Sequence, residues 1–275
     1  MRKIAFQGEK GAFSEAAAIR FWNTVIVPVP KKTFRDVFQA VRTAGCDFGI
    51  IPIENSQTGS IHQNVDLLLD YSVSVVGEIM LKIRHCLLAN PSVRLSDVRK
   101  VYSHPQALEQ CSDFLSRQKK IEIIPMYDTA GSARFIAERK IRDGASIASA
   151  QAGKDYGLTL LKAGIENHEQ NYTRFLIISR QAVSPSRKAK TSVVFSLKDI
   201  PGGLFKALSV FALRDINLLK IESRPLRRGP WKYWFYLDFE GTMLDPACAH
   251  AIDHLGEITR FLKVLGSYPA GKIVE

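Results

Sequence analysis

The chain has 275 residues, 46% hydrophobic and 24% charged, which is long enough for two or three compact units and excludes a disordered or fibrous protein. Its formal net charge of +11 suits an anionic partner. The basic residues are scattered, however, with the densest run at Arg187, Lys188 and Lys190 and no interleaved aromatics, so no nucleic-acid partner is expected.

In chain order, residues 4–6 form a strand pattern, Gly8 and Gly11 a turn, and a helix starts at Ser14 and continues through residues 16–21. The pattern returns at residues 48–52, with Asn55, Ser56 and Gly59 in the turn and a helix over 65–69. Residues 79–88 read as one strand crossing between two lobes, with His85 as a hinge or core histidine and Lys82 and Arg84 on a solvated surface. A third copy has a strand at 100–103, Pro105 at a first helical position and a helix over 107–115. A fourth runs from 121–126 through Asp128 and Thr129 into a helix over 132–138. Alternation of this kind predicts an α/β architecture with mostly parallel sheets.

These turns place Ser14, Asn55, Ser56, Ser103, Thr129 and Ser132 where strands end and helices begin. Helix N-termini offer unpaired amides and partial positive charge, and open α/β sheets bind ligands at the carboxyl ends of their strands. Any one of Ser14, Asp128 or Thr129 alone reads as a plain N-cap; four such turns favour a shared pocket.

Cys46, Cys86, Cys111 and Cys248 lie far apart without metal-ligand spacing and read as reduced packing residues. His250 and His254, four apart near Cys248, read as a surface helix face, because nothing completes a ligand set. Gly8 and Gly11 do not make a dinucleotide fingerprint. No metal and no cofactor are therefore expected. No apolar run approaches the roughly 20 residues that cross a bilayer, and the expectation is a cytoplasmic protein with no membrane partner.

Residues 183–190 are polar and proline-punctuated and read as a linker. Beyond it come a strand at 191–197, a helix over 203–214 and strands at 217–222 and 232–239. A helix over 246–262 and a last short strand toward Gly266 follow. That βαββαβ order is ferredoxin-like.

The turns also carry a family likeness. Phe6-Gln7-Gly8 with Gly11-Ala12-Phe13-Ser14, Pro52-Ile53-Glu54-Asn55-Ser56 with Gly59, Ser103-His104-Pro105-Gln106-Ala107-Leu108, Asp128-Thr129-Ala130 and Asn171-Tyr172-Thr173-Arg174-Phe175 occur in one order along the chain. In this set the chain resembles prephenate dehydratases. The resemblance implies a two-lobed catalytic region over residues 1–182, similar to type II periplasmic binding proteins, with lobe one at about 1–78 and 165–182 and lobe two at about 79–164. It implies an ACT regulatory domain over 191–275, and conversion of prephenate to phenylpyruvate, carbon dioxide and water. It assigns catalysis to Thr173 and Arg174. Substrate contacts fall to Ser14, Asn55, Ser56, Gly59, His104, Gln106, Thr129, Ala130, Asn171 and Phe175.

Departure of the ring hydroxyl and carboxylate is driven by aromatisation, so a site for it must hold two carboxylates and assist a leaving hydroxide. A guanidinium is the best fork for a carboxylate, which suits Arg174. A threonine hydroxyl is too weak an acid to serve as a free general acid, so Thr173 would act by a hydrogen bond that strengthens as charge builds; physics alone ranks His104 above it. Without the other motifs, Thr173, Arg174 and Phe175 read as a strand residue, a solvent-facing cation and a core ring. His104 is either an acid or base or a helix cap, with a positioning role preferred. Glu54 is either a carboxylic acid raised by burial or the partner of a nearby cation.

Arogenate, with an amino group where prephenate has a keto group, stands as the alternative substrate. A non-catalytic binding module for amino acids or dicarboxylates is the alternative class, though binding alone needs no hydroxyl beside Arg174. A metal-dependent lyase lacks a ligand cluster. In the C-terminal domain the likeness rests on Gly202-Gly203-Leu204-Phe205 and Glu222-Ser223-Arg224-Pro225. It implies phenylalanine as inhibitor, held by Gly202, Gly203, Leu204, Asn217, Leu218, Glu222, Ser223 and Arg224, and assembly as a homodimer or homotetramer. The bare alternative has Glu222 and Arg224 paired on a surface strand.

Overall fold

A computed structural model describes residues 1–118, 121–183, 189–225 and 233–275. The first half contains β1 (Arg2–Gln7), α1 (Phe13–Trp22), β2 (Ile26–Lys31), α2 (Phe34–Arg42), β3 (Phe48–Asn55), β4 (Gly59–Ser60), α3 (His62–Asp70), β5 (Ser74–Lys82) and β6 (Cys86–Ala89). Next come β7 (Lys100–Ser103), α4 (Pro105–Gln110), α5 (Ser112–Ser116), β8 (Glu122–Pro125), α6 (Thr129–Glu138), β9 (Gly144–Ala148), α7 (Ala150–Asp155), β10 (Thr159–Ala163) and β11 (Tyr172–Ser179). The last stretch holds β12 (Ala189–Leu197), α8 (Gly203–Ala212), β13 (Leu218–Pro225), β14 (Tyr233–Glu240), α9 (Pro246–Ile258), β15 (Thr259–Pro269) and β16 (Ile273–Val274).

The chain divides into a larger unit, Met1–Val65 with Ile79–Leu176 and Lys272–Glu275, and a smaller one, Asp66–Glu78 with Ile177–Gly271. The first sheet has the order β16-β5-β11-β3-β1-β2, with β4 on β3. Its β1–β2, β1–β3 and β16–β5 pairs are parallel, as the strand and helix alternation requires. The second sheet, β10-β6-β9-β7-β8, is parallel at β7–β8 and β7–β9 and antiparallel at β6–β9 and β10–β6. Leu87, Val101, Ala145 and Ile147 of this sheet pack against Leu108, Phe114 and Leu115, all buried.

In the smaller unit, β13-β14-β12-β15 make an antiparallel sheet under α8 and α9. Phe195, Phe211, Phe239 and Leu255 meet in its core. This is the βαββαβ arrangement expected from the strand and helix order.

Several elements differ from their sequence reading. The helix expected over 107–115 is broken at Cys111 (φ −112°) into α4 and α5. The strand expected over 79–88 is interrupted between β5 and β6, at residues 83–85. The helix expected over 246–262 stops at Ile258, where Thr259 turns extended (ψ 162°), and β15 is 11 residues rather than a short strand. Ser14 does not start α1: Ala12 is its N-cap, and Ser14 is buried in the first turn. Residues 184–188 of the expected linker, with Arg187 and Lys188 of the basic run, and residue 232 of the expected strand lie outside the described residues. All four cysteines are free and buried, while His250 and His254 are exposed, so Cys248 does not share their face of α9.

Candidate active site

The larger unit holds a cavity of about 350 Å³ lined from the ends of β1, β3, β11 and the starts of α1, α4 and α6. Of the residues expected to bind or act on substrate, Ser14, Asn55, His104, Gln106, Thr129, Thr173 and Phe175 line it. Ser56, Gly59, Ala130, Asn171 and Arg174 do not.

Each of these has a structural account. Ser56 stitches the turn after β3 to β11, its N–H donating to the Tyr172 carbonyl (2.8 Å) and its hydroxyl accepting from the Tyr172 N–H (3.0 Å). Gly59 supplies a left-handed backbone (φ +78°) with open space around it. Ala130 is fully buried in the first turn of α6. Asn171, 1% exposed, sits behind the wall and holds two lining side chains. Arg174 follows Thr173 on a strand whose side chains alternate faces, and its guanidinium lies 3.9 Å from Glu54. The expected carboxylate fork therefore faces away from this cavity, and Glu54 has a cation for a neighbour.

Asn55 organises the wall. Its Oδ1 accepts from the backbone N–H groups of Gln57 (2.9 Å) and Thr58 (3.2 Å), which only an oxygen can do. Its Nδ2 therefore donates, to Asn171 Oδ1 (2.7 Å), to the Tyr172 carbonyl (3.2 Å) and to the Thr173 hydroxyl oxygen (3.0 Å). Thr173 is thus an acceptor toward Asn55, and no hydrogen bond among the described residues uses its own proton.

The cavity is almost without full charges. No lysine or arginine lines it, and Asp128 is its one carboxylate, among the described residues. Asp128 caps α6 by accepting from the Gly131 N–H (2.7 Å), and burial raises its pKa above the ordinary 3.8. Its closeness to Gly8 explains that glycine: a Cβ there would lie 2.9 Å from Asp128 Oδ2, at φ +116°. His104 caps α4, Nδ1 accepting from the Gln106 N–H (3.3 Å), and burial holds its pKa below 6.5. Positive potential comes instead from the first turns of α1 and α6, each 10 residues long, whose dipoles end at Ser14 and Thr129.

Sequence reasoning reads His85 as a hinge or core histidine and passes over Gln110. His85, 2% exposed, lines the cavity and meets Gln110 through Nε2 (2.9 Å). Gln110 falls four residues after Gln106 on α4, a helical spacing that was a usable signal; His85 gave none in its apolar stretch. Tyr127 also lines the cavity, its hydroxyl donating to Glu9 (3.1 Å), which Arg134 holds at 2.8 Å. Among the described residues no three His, Cys, Asp or Glu side chains cluster to hold a metal, and no helix is long and apolar enough to cross a membrane.

In the smaller unit, Gly202 caps α8 with a left-handed backbone (φ +71°), and Gly203 and Leu204 open the helix. Asn217 accepts from the Glu240 N–H through its carbonyl (3.0 Å), just before Leu218 enters β13. Lys220 lies 3.2 Å from Glu222 and Asp66 lies 2.7 Å from Arg224, while Ser223 is exposed.

Comparison with known proteins agrees with this geometry. The prephenate dehydratase family model matches residues 4–183 and the ACT domain model residues 191–247. Arogenate dehydratase/prephenate dehydratase 2 of Arabidopsis thaliana, a chloroplastic protein, is 47% identical over 97% of this chain and 72% of its own length. A crystal structure of prephenate dehydratase from Arthrobacter aurescens in complex with L-Phe is 30% identical, covering 97% of this chain and 90% of that one, with a TM-score of 0.87. A solved structure described as GqqA, a novel type of quorum quenching acylase, is 32% identical over 98% of each chain, also with a TM-score of 0.87. With the family match spanning residues 4–183, the chain belongs to the prephenate dehydratase family and carries an ACT domain.

Proposed function

We propose that the chain catalyses the decarboxylating dehydration of prephenate to phenylpyruvate, and that phenylalanine inhibits it through the C-terminal domain. The observation that carries the reaction is Thr173: its oxygen accepts from Asn55 (3.0 Å), so its O–H is the donor left for an oxygen in the cavity. That bond strengthens as the ring C–O bond breaks and charge gathers on the departing oxygen. The ring carboxylate leaves as carbon dioxide, its bonding pair completing the aromatic ring. Ser14 and the first turns of α1 and α6 receive the carboxylates, since no cation lines the cavity among the described residues. Arg174 then acts at one remove, beside Glu54, on the strand that presents Thr173.

Arogenate is the second reading, favoured by Asp128, an acceptor in the wall for an ammonium group, and by relatives named for both substrates. An acylase reading would need a base on a nucleophile's proton, and Thr173 has none among the described residues. Incubating the purified protein with prephenate and with arogenate separately, and identifying the aromatic product, tests the proposal. Phenylpyruvate from prephenate is expected; no product from either substrate sinks it. Pairing of two or four chains and a cytoplasmic location belong to the same proposal. Exposed Phe205 (76%) and Leu213 (82%) on and after α8 support pairing, and light scattering tests it.

A further inference from the structure

The hydrogen bonds behind the cavity wall fix the tautomer of His85. Asn55 Nδ2 donates to Asn171 Oδ1, so Asn171 presents its Nδ2 to Gln110 at 3.0 Å, and the Gln110 atom there is Oε1. An amide oxygen has no hydrogen to give, so the His85 Nε2 that meets the same oxygen at 2.9 Å must carry the ring proton. Burial lowers the His85 pKa and keeps the ring neutral. Nδ1 is then a bare acceptor, and it has no hydrogen-bond partner on a side chain that lines the cavity and is 2% exposed. The Phe13 ring, edge-on at 5.5 Å, holds the imidazole in place. Buried acceptors are seldom left unmet in a native protein, and this one belongs to a side chain that lines a binding cavity.

We propose that His85 is a further substrate-contacting residue: its Nδ1 accepts the hydrogen bond of the ring hydroxyl and turns that oxygen's lone pairs toward Thr173. The inference rests on the reaction proposed above. Ionised prephenate carries two carboxylates and a ketone, all acceptors, and one donor, the ring hydroxyl; a bare imidazole nitrogen can be satisfied by no other group of it. With its hydrogen directed to His85, the hydroxyl oxygen presents a lone pair to the Thr173 O–H. The C–O bond then breaks with its pair on oxygen, the ring carboxylate bond breaks with its pair entering the ring, and hydroxide takes a proton from solvent after release. His85 exchanges no proton in this sequence; it positions the leaving group.

Two substitutions separate this role from a purely structural one. In His85→Gln the amide nitrogen falls near the place of Nε2, so the bond to Gln110 is kept and the Nδ1 acceptor is lost. In His85→Asn the amide oxygen falls near Nδ1, so the acceptor is kept and the bond to Gln110 is lost. The expected result is a fall in kcat of about tenfold or more for His85→Gln on both prephenate and arogenate, with KM moved less than about threefold, the size of one lost hydrogen bond. His85→Asn should retain most of the parent turnover. The reverse order, or equal losses in both variants, would show that His85 only supports Gln110 and would overturn the proposal, as would an unchanged kcat in His85→Gln. A loss confined to arogenate would assign the nitrogen to the ammonium group and overturn it too. If His85→Asn does not fold, His85→Gln alone decides. A folded parent inactive on both substrates would sink the reaction itself, a separate failure from any pattern among the variants.

Discussion

Thr173 and Arg174 are neighbours in sequence, yet the alternation of a strand sends their side chains to opposite faces, and only Thr173 lines the cavity. Thr173→Ala removes a donor proposed to matter mostly in the transition state. A loss of about a hundredfold in kcat with little change in KM is expected, with Thr173→Ser recovering much of it; steady-state kinetics checks this, and a KM effect without a kcat effect would remove Thr173 from the chemistry. Buried histidines make a second prediction. His85 and His104 are held below the ordinary 6.5, chiefly by burial, so the unfolded chain binds protons that the folded chain resists. Their contribution is fully present above pH 6.5 and is lost as pH falls below it, by at most about 1.4 kcal/mol per pH unit for each. Asp128 and Glu15, raised by burial above their ordinary 3.8 and 4.5, act in the opposite sense. Urea midpoints should therefore drop between pH 7 and 5.5, and less steeply in His85→Gln; equal slopes would refute the assignment.

At the scale of elements, what the sequence disclosed depended on whether a local signal agreed with its place in the sheet. The strand and helix units around Gly8, Asn55, Pro105 and Asp128 were legible because each joins an apolar period to a turn or cap. β2 was not, because Pro28 and Pro30 interrupt its apolar run; it is the end strand of the first sheet, where a missing N–H is tolerated. α2 was passed over despite a capping box at Thr33 and Asp36. Residues 259–262 extend the apolar spacing of α9, and only the pairing of β15 with β12 makes them strand. Lys263 on that strand donates to the carbonyls of Leu68 (2.8 Å), Leu69 (3.3 Å) and Tyr71 (3.0 Å), closing the C-terminus of α3. Lys263→Met should lower stability by about 1–3 kcal/mol, since those carbonyls lose their donor; a chemical-denaturation midpoint equal to the parent's would show that water replaces the cation freely.

Across the whole molecule the division of labour was readable from the order of motifs, whereas the content of the smaller unit was not. Residues 66–78, which sequence order assigns to the first lobe, belong to the same compact unit as the ACT sheet. Within that unit Lys190 lies 2.7 Å from Glu78, both nearly buried, and Asp66 lies 2.7 Å from Arg224 of the proposed effector motif. Cutting the chain near residue 184 would remove most of the smaller unit and with it Lys190, leaving Asp66–Glu78 without the sheet it packs with. A truncated enzyme is for that reason a poor test of where phenylalanine acts, and point variants in the intact chain are the better one. Glu222→Ala with Ser223→Ala alters the proposed effector motif and changes no residue that lines the cavity. Phenylalanine should inhibit the parent, and the double variant should keep the parent's basal turnover while needing at least about tenfold more phenylalanine for the same inhibition. For inhibition to occur at all, phenylalanine must bind the low-activity arrangement more tightly than the active one, because equal affinity for both shifts nothing. A purely competitive pattern against prephenate, unchanged in the double variant, would put phenylalanine in the catalytic cavity and end the regulatory assignment of the C-terminal domain.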